Sequence, residues 1–105
     1  MWRKHDYFLS ETNKLIGSYK IRISPVGRQI EFTPINGTHV KDAIRALIDI
    51  SNKHKLHAYA TFFNIRIDVP YPTDMNEETI KNIVNTYRKN YELRASAVKS
   101  HYVRS

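Results

Sequence analysis

The sequence predicts an α+β fold: an antiparallel sheet of four or five strands with two helices packed on one face, in the order β(β)β-α-ββ-α, ending in a long helix. Three observations lead there. Residues 19–24 and 29–33 alternate apolar and polar side chains, the period of a strand with one buried face. Residues 57–63 and 65–69 are a second pair of short β-type runs with one turn residue between them. Apolar side chains recur at helical spacing over about 39–54 and 75–102.

The 105 residues support one domain, 1–105, around one core. With 41% hydrophobic and 26% charged residues, the chain is not of the disordered class. Cysteine is absent, which excludes disulfides, thiolate metal ligands and a cysteine nucleophile and fits a reducing, cytoplasmic setting. The basic start, Met1 to Tyr7, leads into no apolar stretch, so no secretion signal is read. No run approaches the roughly 20 apolar residues of a membrane-spanning helix, and no membrane partner is expected.

In chain order, the first hairpin pairs Tyr19-Lys20-Ile21-Arg22-Ile23-Ser24 with Gln29-Ile30-Glu31-Phe32-Thr33 around the turn signal Pro25-Val26-Gly27. Residues 1–17 either add an edge strand at about 6–10 or stay flexible outside the sheet. Gly17, Gly27 and Gly37 read as turns. The first helix takes Thr38 as its N-cap after Asn36-Gly37. It buries Val40, Ala43, Ile44, Leu47, Ile48 and Ser51. Its outer face carries Arg45–Asp49 and Asp49–Lys53 at four-residue spacing, each pair worth about 0.2–0.5 kcal/mol.

The second hairpin turns on Asn64, which tolerates positive φ. Pro70 and Pro72 end it. Asp74 with Glu77 three residues on reads as a capping box for the last helix. That helix carries Ile80, Ile83, Val84, Tyr87, Tyr91, Ala95, Val98 and Tyr102 on one face. Residues 75–102 would span roughly 42 Å, whereas a domain of this length has a radius of gyration of about 13 Å. The helix therefore overhangs its core or breaks near Arg94, with residues 95–105 overhanging or frayed. Tyr87, Tyr91, Ala95, Val98 and Tyr102 are the candidate contact with a second copy or another protein.

Net charge is +7, distributed +4 over residues 1–28, −1 over 29–87 and +4 over 88–105. Such a field favours acidic partners, either DNA or RNA or an acidic host protein. Packing Ile21, Ile23, Ile30, Phe32, Ala58, Ala60 and Phe62 against the helices turns Lys20, Arg22, Gln29, Glu31, His57, Tyr59, Thr61 and Phe63 outward, joined by Arg66. Aromatic rings beside arginines on an open sheet suit single-stranded nucleic acid. The candidate nucleic-acid contacts are Lys20, Arg22, Arg28, Tyr59, Phe63 and Arg66, with Arg88, Arg94 and Lys99 from the basic C-terminal segment.

No catalytic motif emerges. His54 and His57 lie three apart, but one ends a helix, the other opens a strand, and no third ligand is near, so neither a metal nor a cofactor is expected. Asp49 and Asp68 read as salt-bridge partners. No Gly-rich phosphate loop occurs. The seven residues Gly17-Ser18-Tyr19-Lys20-Ile21-Arg22-Ile23 are similar to the strand that opens the sheet of RelE-type toxins, although in that family helices precede the sheet. This resemblance implies a metal-free ribonuclease with Arg22, Arg28, Arg66 and Tyr59 at phosphate and base.

Residues 58–69, Ala-Tyr-Ala-Thr-Phe-Phe-Asn-Ile-Arg-Ile-Asp-Val, lead through a Pro/Thr/Asp linker into a helix with Ile83, Val84 and Tyr87. This resembles a pattern in small uncharacterised proteins of tailed bacteriophages, where a hairpin tipped by Phe-Asn-Gly precedes an acidic-capped helix ending in Tyr. Here Ile65 stands where that pattern has Gly, and the match covers under a third of the chain. The Lys, Asn, Ile and Tyr content resembles early proteins of large AT-rich phages. The resemblance implies a protein of host takeover that binds a host or defence factor in the host cytoplasm; it carries over no functional residue. Two readings stand: a non-enzymatic nucleic-acid-binding protein, and an inhibitor or adaptor that binds protein.

Overall fold

The computed structural model describes the backbone of residues 4–9 and 12–103, and side chains as far as residue 95. Five strands and two helices follow in the order β1 (His5–Leu9), β2 (Lys14–Ser24), β3 (Gly27–Pro34), α1 (Val40–His54), β4 (Ala58–Phe62), β5 (Ile65–Val69) and α2 (Glu77–Val103). This is the α+β architecture read from the sequence, with the N-terminal segment supplying an edge strand. The sheet runs β1-β2-β3-β4-β5, and both helices lie on one face.

The sheet is mixed rather than wholly antiparallel. Within each hairpin and between β1 and β2 the strands are antiparallel, but β3 and β4 run parallel. The short links dictate antiparallel pairing only inside a hairpin. Between the hairpins, the 15 residues of α1 carry the chain back along the sheet, so β4 starts at the same end as β3.

Register follows the alternation. Tyr19 stands opposite Phe32, Ile21 opposite Ile30, Ala58 opposite Val69 and Ala60 opposite Ile67, all facing the helices. A one-residue slip would turn this apolar set to solvent, so burial selects the register. Phe32, Ile30, Ile44, Leu47, Ile48, Ile50 and Val69 are fully buried. The buried stripe of α1 also takes in Ala46, and Ile50, expected only at its margin, is fully buried, because α1 touches both the sheet and α2.

Local details depart from the sequence reading where a distant partner outbids a near one. His39, not Thr38, caps α1: its Nδ1 accepts the Lys41 N–H at 3.1 Å. The Thr38 hydroxyl instead donates to the carbonyl of Ile16. Arg45 reaches Glu77 at 2.9 Å rather than Asp49, and Asp49 accepts the Tyr7 hydroxyl at 2.7 Å. Asn76 caps α2 by accepting the Thr79 N–H, in place of Asp74. The second hairpin turns on two residues, Phe63 and Asn64, both at positive φ, the backbone of a type I′ turn. Gly17 is not a turn residue but lies inside β2.

Helix α2 continues unbroken past Arg94 to Val103, a length of about 40 Å. The long dimension of the molecule is 47 Å and its radius of gyration 15.1 Å, above the about 13 Å of a compact chain this size. Ile80 is buried, Ile83, Val84 and Tyr87 are half-buried, and residues 88–95 are all exposed. From Arg88 to Ala95 the helix buries no side chain. Among the described residues, no helix is long and apolar enough to cross a membrane.

Candidate nucleic-acid interface

The outer face of the sheet carries a single rung across four strands, Lys20 on β2, Glu31 on β3, Tyr59 on β4 and Asp68 on β5. Each side chain is there because it alternates with a core residue. Glu31 accepts from Arg22 Nη1 at 3.1 Å and from the Tyr59 hydroxyl at 3.2 Å, and lies 3.5 Å from Lys20 Nζ. Burial pushes the Glu31 carboxyl up, but the Tyr59 hydroxyl and the Arg22 guanidinium outweigh it and hold it below the ordinary carboxylate value. Arg66 sits over the Tyr59 ring at 4.0 Å and donates to Asp68 at 2.9 Å; His57 Nε2 lies 2.7 Å from the same carboxylate.

This face is therefore largely self-neutralised. Lys20, Arg22 and Arg66 are all committed to carboxylates, and one side of the Tyr59 ring is occupied by a guanidinium. A base meets no bare ring there.

Two residues grouped with this face, Arg28 and Phe63, are placed elsewhere. Arg28 stands opposite Ile23 and two positions from buried Ile30, so it projects to the helix side. Phe63 is a turn residue whose ring meets Tyr91 of α2 edge-on, centroids 6.1 Å apart. Arg94 donates to the Asn64 carbonyl at 3.0 Å, tying α2 to the same hairpin tip. Arg88 is exposed on α2. The side chain of Lys99 lies outside the described residues. Of the expected helix contacts, Tyr87 packs on Phe62 and Tyr91 on Phe63, so the chain's own hairpin covers the start of that stripe. Ala95 is exposed, and the side chains of Val98 and Tyr102 lie outside the described residues.

Uncommitted positive charge gathers instead where the β2–β3 hairpin meets the end of α1. The last turn of α1 places Lys53 and His54, and Lys55 follows in the left-handed conformation at φ 56. From the sheet come Arg28 and His5. Tyr19 joins the two layers: its hydroxyl lies 3.0 Å from His54 Nε2 and its ring stacks on His5. Burial, then the charges of Lys53, His5 and Arg28, hold the His54 imidazolium below its ordinary pKa. Arg28, Lys53 and Lys55 are exposed and form no ion pair among the described residues.

The sequence reading missed Lys53, Lys55 and His5 as site residues. The run Lys53-His54-Lys55 is the signal that was there, read only as a helix end. Lysine in a left-handed helix stop, where glycine is the relaxed choice, costs about 1 kcal/mol.

The imidazoles do not form a metal pair: His54 meets Tyr19 and His57 meets Asp68. Among the described residues there is no group of three or more His, Cys, Asp or Glu able to hold a metal. The four residues suggested by the toxin resemblance do not converge, since Arg28 lies on the opposite face from Arg22, Arg66 and Tyr59.

Two depressed pKa values point the same way in pH. Each group binds fewer protons folded than unfolded, so each adds stability that rises with pH. The His54 contribution is whole above about pH 6.5, its unfolded value, and is lost as pH falls through the lower folded one. Glu31 follows in the carboxylate range. Stability from urea unfolding is expected to decline on acidification from pH 7. In His54→Gln the decline just below pH 6.5 is shallower than in the wild type; identical profiles would refute the assignment to His54.

No family model matches the chain, and comparison with curated proteins and with solved structures finds no match.

Proposed function

We propose that this is a non-enzymatic nucleic-acid-binding protein that takes the phosphate backbone on the surface built by Arg28, Lys53 and Lys55. The observation that carries this reading is that Arg28 and Lys53 converge on the His54 ring beside His5, with Lys55 following His54 in the chain, none of the three with a carboxylate partner among the described residues. Lys20 and Arg22 extend the field around the sheet but are already paired. Because the Tyr59 ring is capped by Arg66, the contact is with phosphates more than bases, and binding tolerates sequence.

The test is fluorescence anisotropy of single-stranded DNA and RNA oligonucleotides between low and physiological salt. Three to five phosphate contacts give a slope of log K against log salt of roughly −2 to −4. Absence of binding at low salt, or affinity indifferent to salt, rejects the proposal.

One observation favours a second reading, an inhibitor or adaptor acting on a host or defence protein. The tip formed by Phe63, 75% exposed, and Tyr91 stands open beside the exposed stretch of α2 from Arg88 to Ala95. The phage resemblance supports this reading, and a protein that ignores oligonucleotides would leave it standing.

A further inference from the structure

The two edges of the sheet differ. The β1–β2 ladder shifts register between Tyr7 and Phe8, where Ile16 is an extra residue in β2, and such a bulge bends and twists the edge it adjoins. Edge strand β5 is regular over its five residues.

The turn geometry says which backbone groups β5 leaves free. In a two-residue hairpin the residues flanking the turn, here Phe62 and Ile65, form a hydrogen-bonded pair, and such pairs alternate along the ladder. Ala60–Ile67 and Ala58–Val69 are then hydrogen-bonded pairs as well. The N–H and C=O of Arg66 and Asp68 point the other way, off the sheet. Among the described residues no strand lies on that side of β5. Alongside runs a groove of about 330 Å³ between β5 and α2, walled on the helix side by Asn82, Thr86 and Asn90 together with Ile83 and Tyr87.

We propose that this edge pairs with a second copy of itself. Antiparallel pairing centred on Ile67 sets Arg66 opposite Asp68 of the partner, and Asp68 opposite the partner's Arg66. Each such pair exchanges N–H and C=O groups that are otherwise unpaired, and joins opposite charges on the outer face. On the helix side Ile67 meets its own copy, and Ile65 meets Val69. The strand is thus self-complementary in the isologous sense that a two-fold axis requires. Registers centred on Arg66 or Asp68 set like charges directly opposite, which is destabilising. The charge pattern therefore selects one register. The groove gives the incoming strand its room, and the sheet continues through both copies.

Sedimentation velocity over micromolar to millimolar protein tests this, with circular dichroism confirming the fold of every variant. The wild type is expected to dimerise. Arg66→Asp and Asp68→Arg each put like charges into both cross-strand pairs and weaken the dimer roughly tenfold or more. The double variant R66D/D68R restores opposite charges and recovers the dimer. A wild type that stays monomeric overturns the proposal, also where the edge then takes an extended peptide from another protein. A dimer indifferent to both single variants overturns it too and moves the interface to another surface, such as α2. Oligonucleotide binding by Arg28, Lys53 and Lys55 is read separately, so either inference can fail alone.

Discussion

Gly17→Ala is expected to lose about 3 kcal/mol of unfolding free energy, at the upper end of what overpacking costs. A Cβ at this position would lie 2.5 Å from the Thr33 carbonyl oxygen and 2.6 Å from Cζ of Phe32. Neither can withdraw. The carbonyl belongs to the backbone of β3, locked to β2 by the pairing of Gly17 with Pro34 and Ser18 with Thr33. The Phe32 ring is fully buried and meets the edge of Tyr7 at 6.4 Å. Strand β2 needs a glycine here because an aromatic ring crosses directly over its backbone. Urea unfolding measures the loss, with an unchanged m-value showing that the native state keeps its compactness. Adding Phe32→Leu relieves the ring contact alone, so the double variant does not recover. A loss below about 1 kcal/mol would mean that β3 yields more easily than a paired strand should. Since domains of this size hold about 5–15 kcal/mol in all, Gly17→Val is expected to leave little folded protein.

Reversing the charge of Arg28, Lys53 and Lys55 together is expected to weaken oligonucleotide binding on the order of a hundredfold at low salt and to flatten the salt slope by about 2 to 3. All three side chains are exposed and form no ion pair among the described residues; reversing Lys53 in the last turn of α1 opposes the helix dipole by about 0.3–1 kcal/mol, so stability falls only slightly. The control makes the same change in net charge at Lys81, Arg88 and Lys89, exposed on α2. If both triple variants bind alike, affinity comes from overall charge and the convergence at the end of α1 has no special role. A selective loss from the first triple locates the phosphate path.

The elements easiest to read in the sequence are those governed by local period. Alternation in residues 19–24 and 29–33 placed Ile21, Ile30 and Phe32 inward and Lys20, Arg22 and Glu31 outward, as the register has them, but Ile23, also expected to pack on the helices, lies next to the turn beyond the core and is exposed. The spacing in residues 39–54 placed Ala43, Ile44, Leu47 and Ile48 in the core. Side chains that take a partner far along the chain were less legible. Arg45 has Asp49 one turn away yet pairs with Glu77, and Asp49 turns to Tyr7. Phe63 continues the strand alternation on paper, but a two-residue turn needs it at positive φ, which carries its ring to Tyr91. Arg28 was expected with Arg22 among the nucleic-acid contacts. Six positions apart on strands that pair, they fall on opposite faces.

By itself the sequence determined the fold class, the apolar face of each element and the surplus of positive charge, because side-chain period and composition are properties of neighbours in the chain. Only the tertiary structure decided that the two hairpins join in parallel, that an aromatic ring crosses Gly17, and which cations keep a free charge. Those outcomes depend on which residues meet from distant segments: carboxylates on β3 and β5 neutralise the outer face of the sheet, and none reaches Arg28, Lys53 or Lys55 among the described residues.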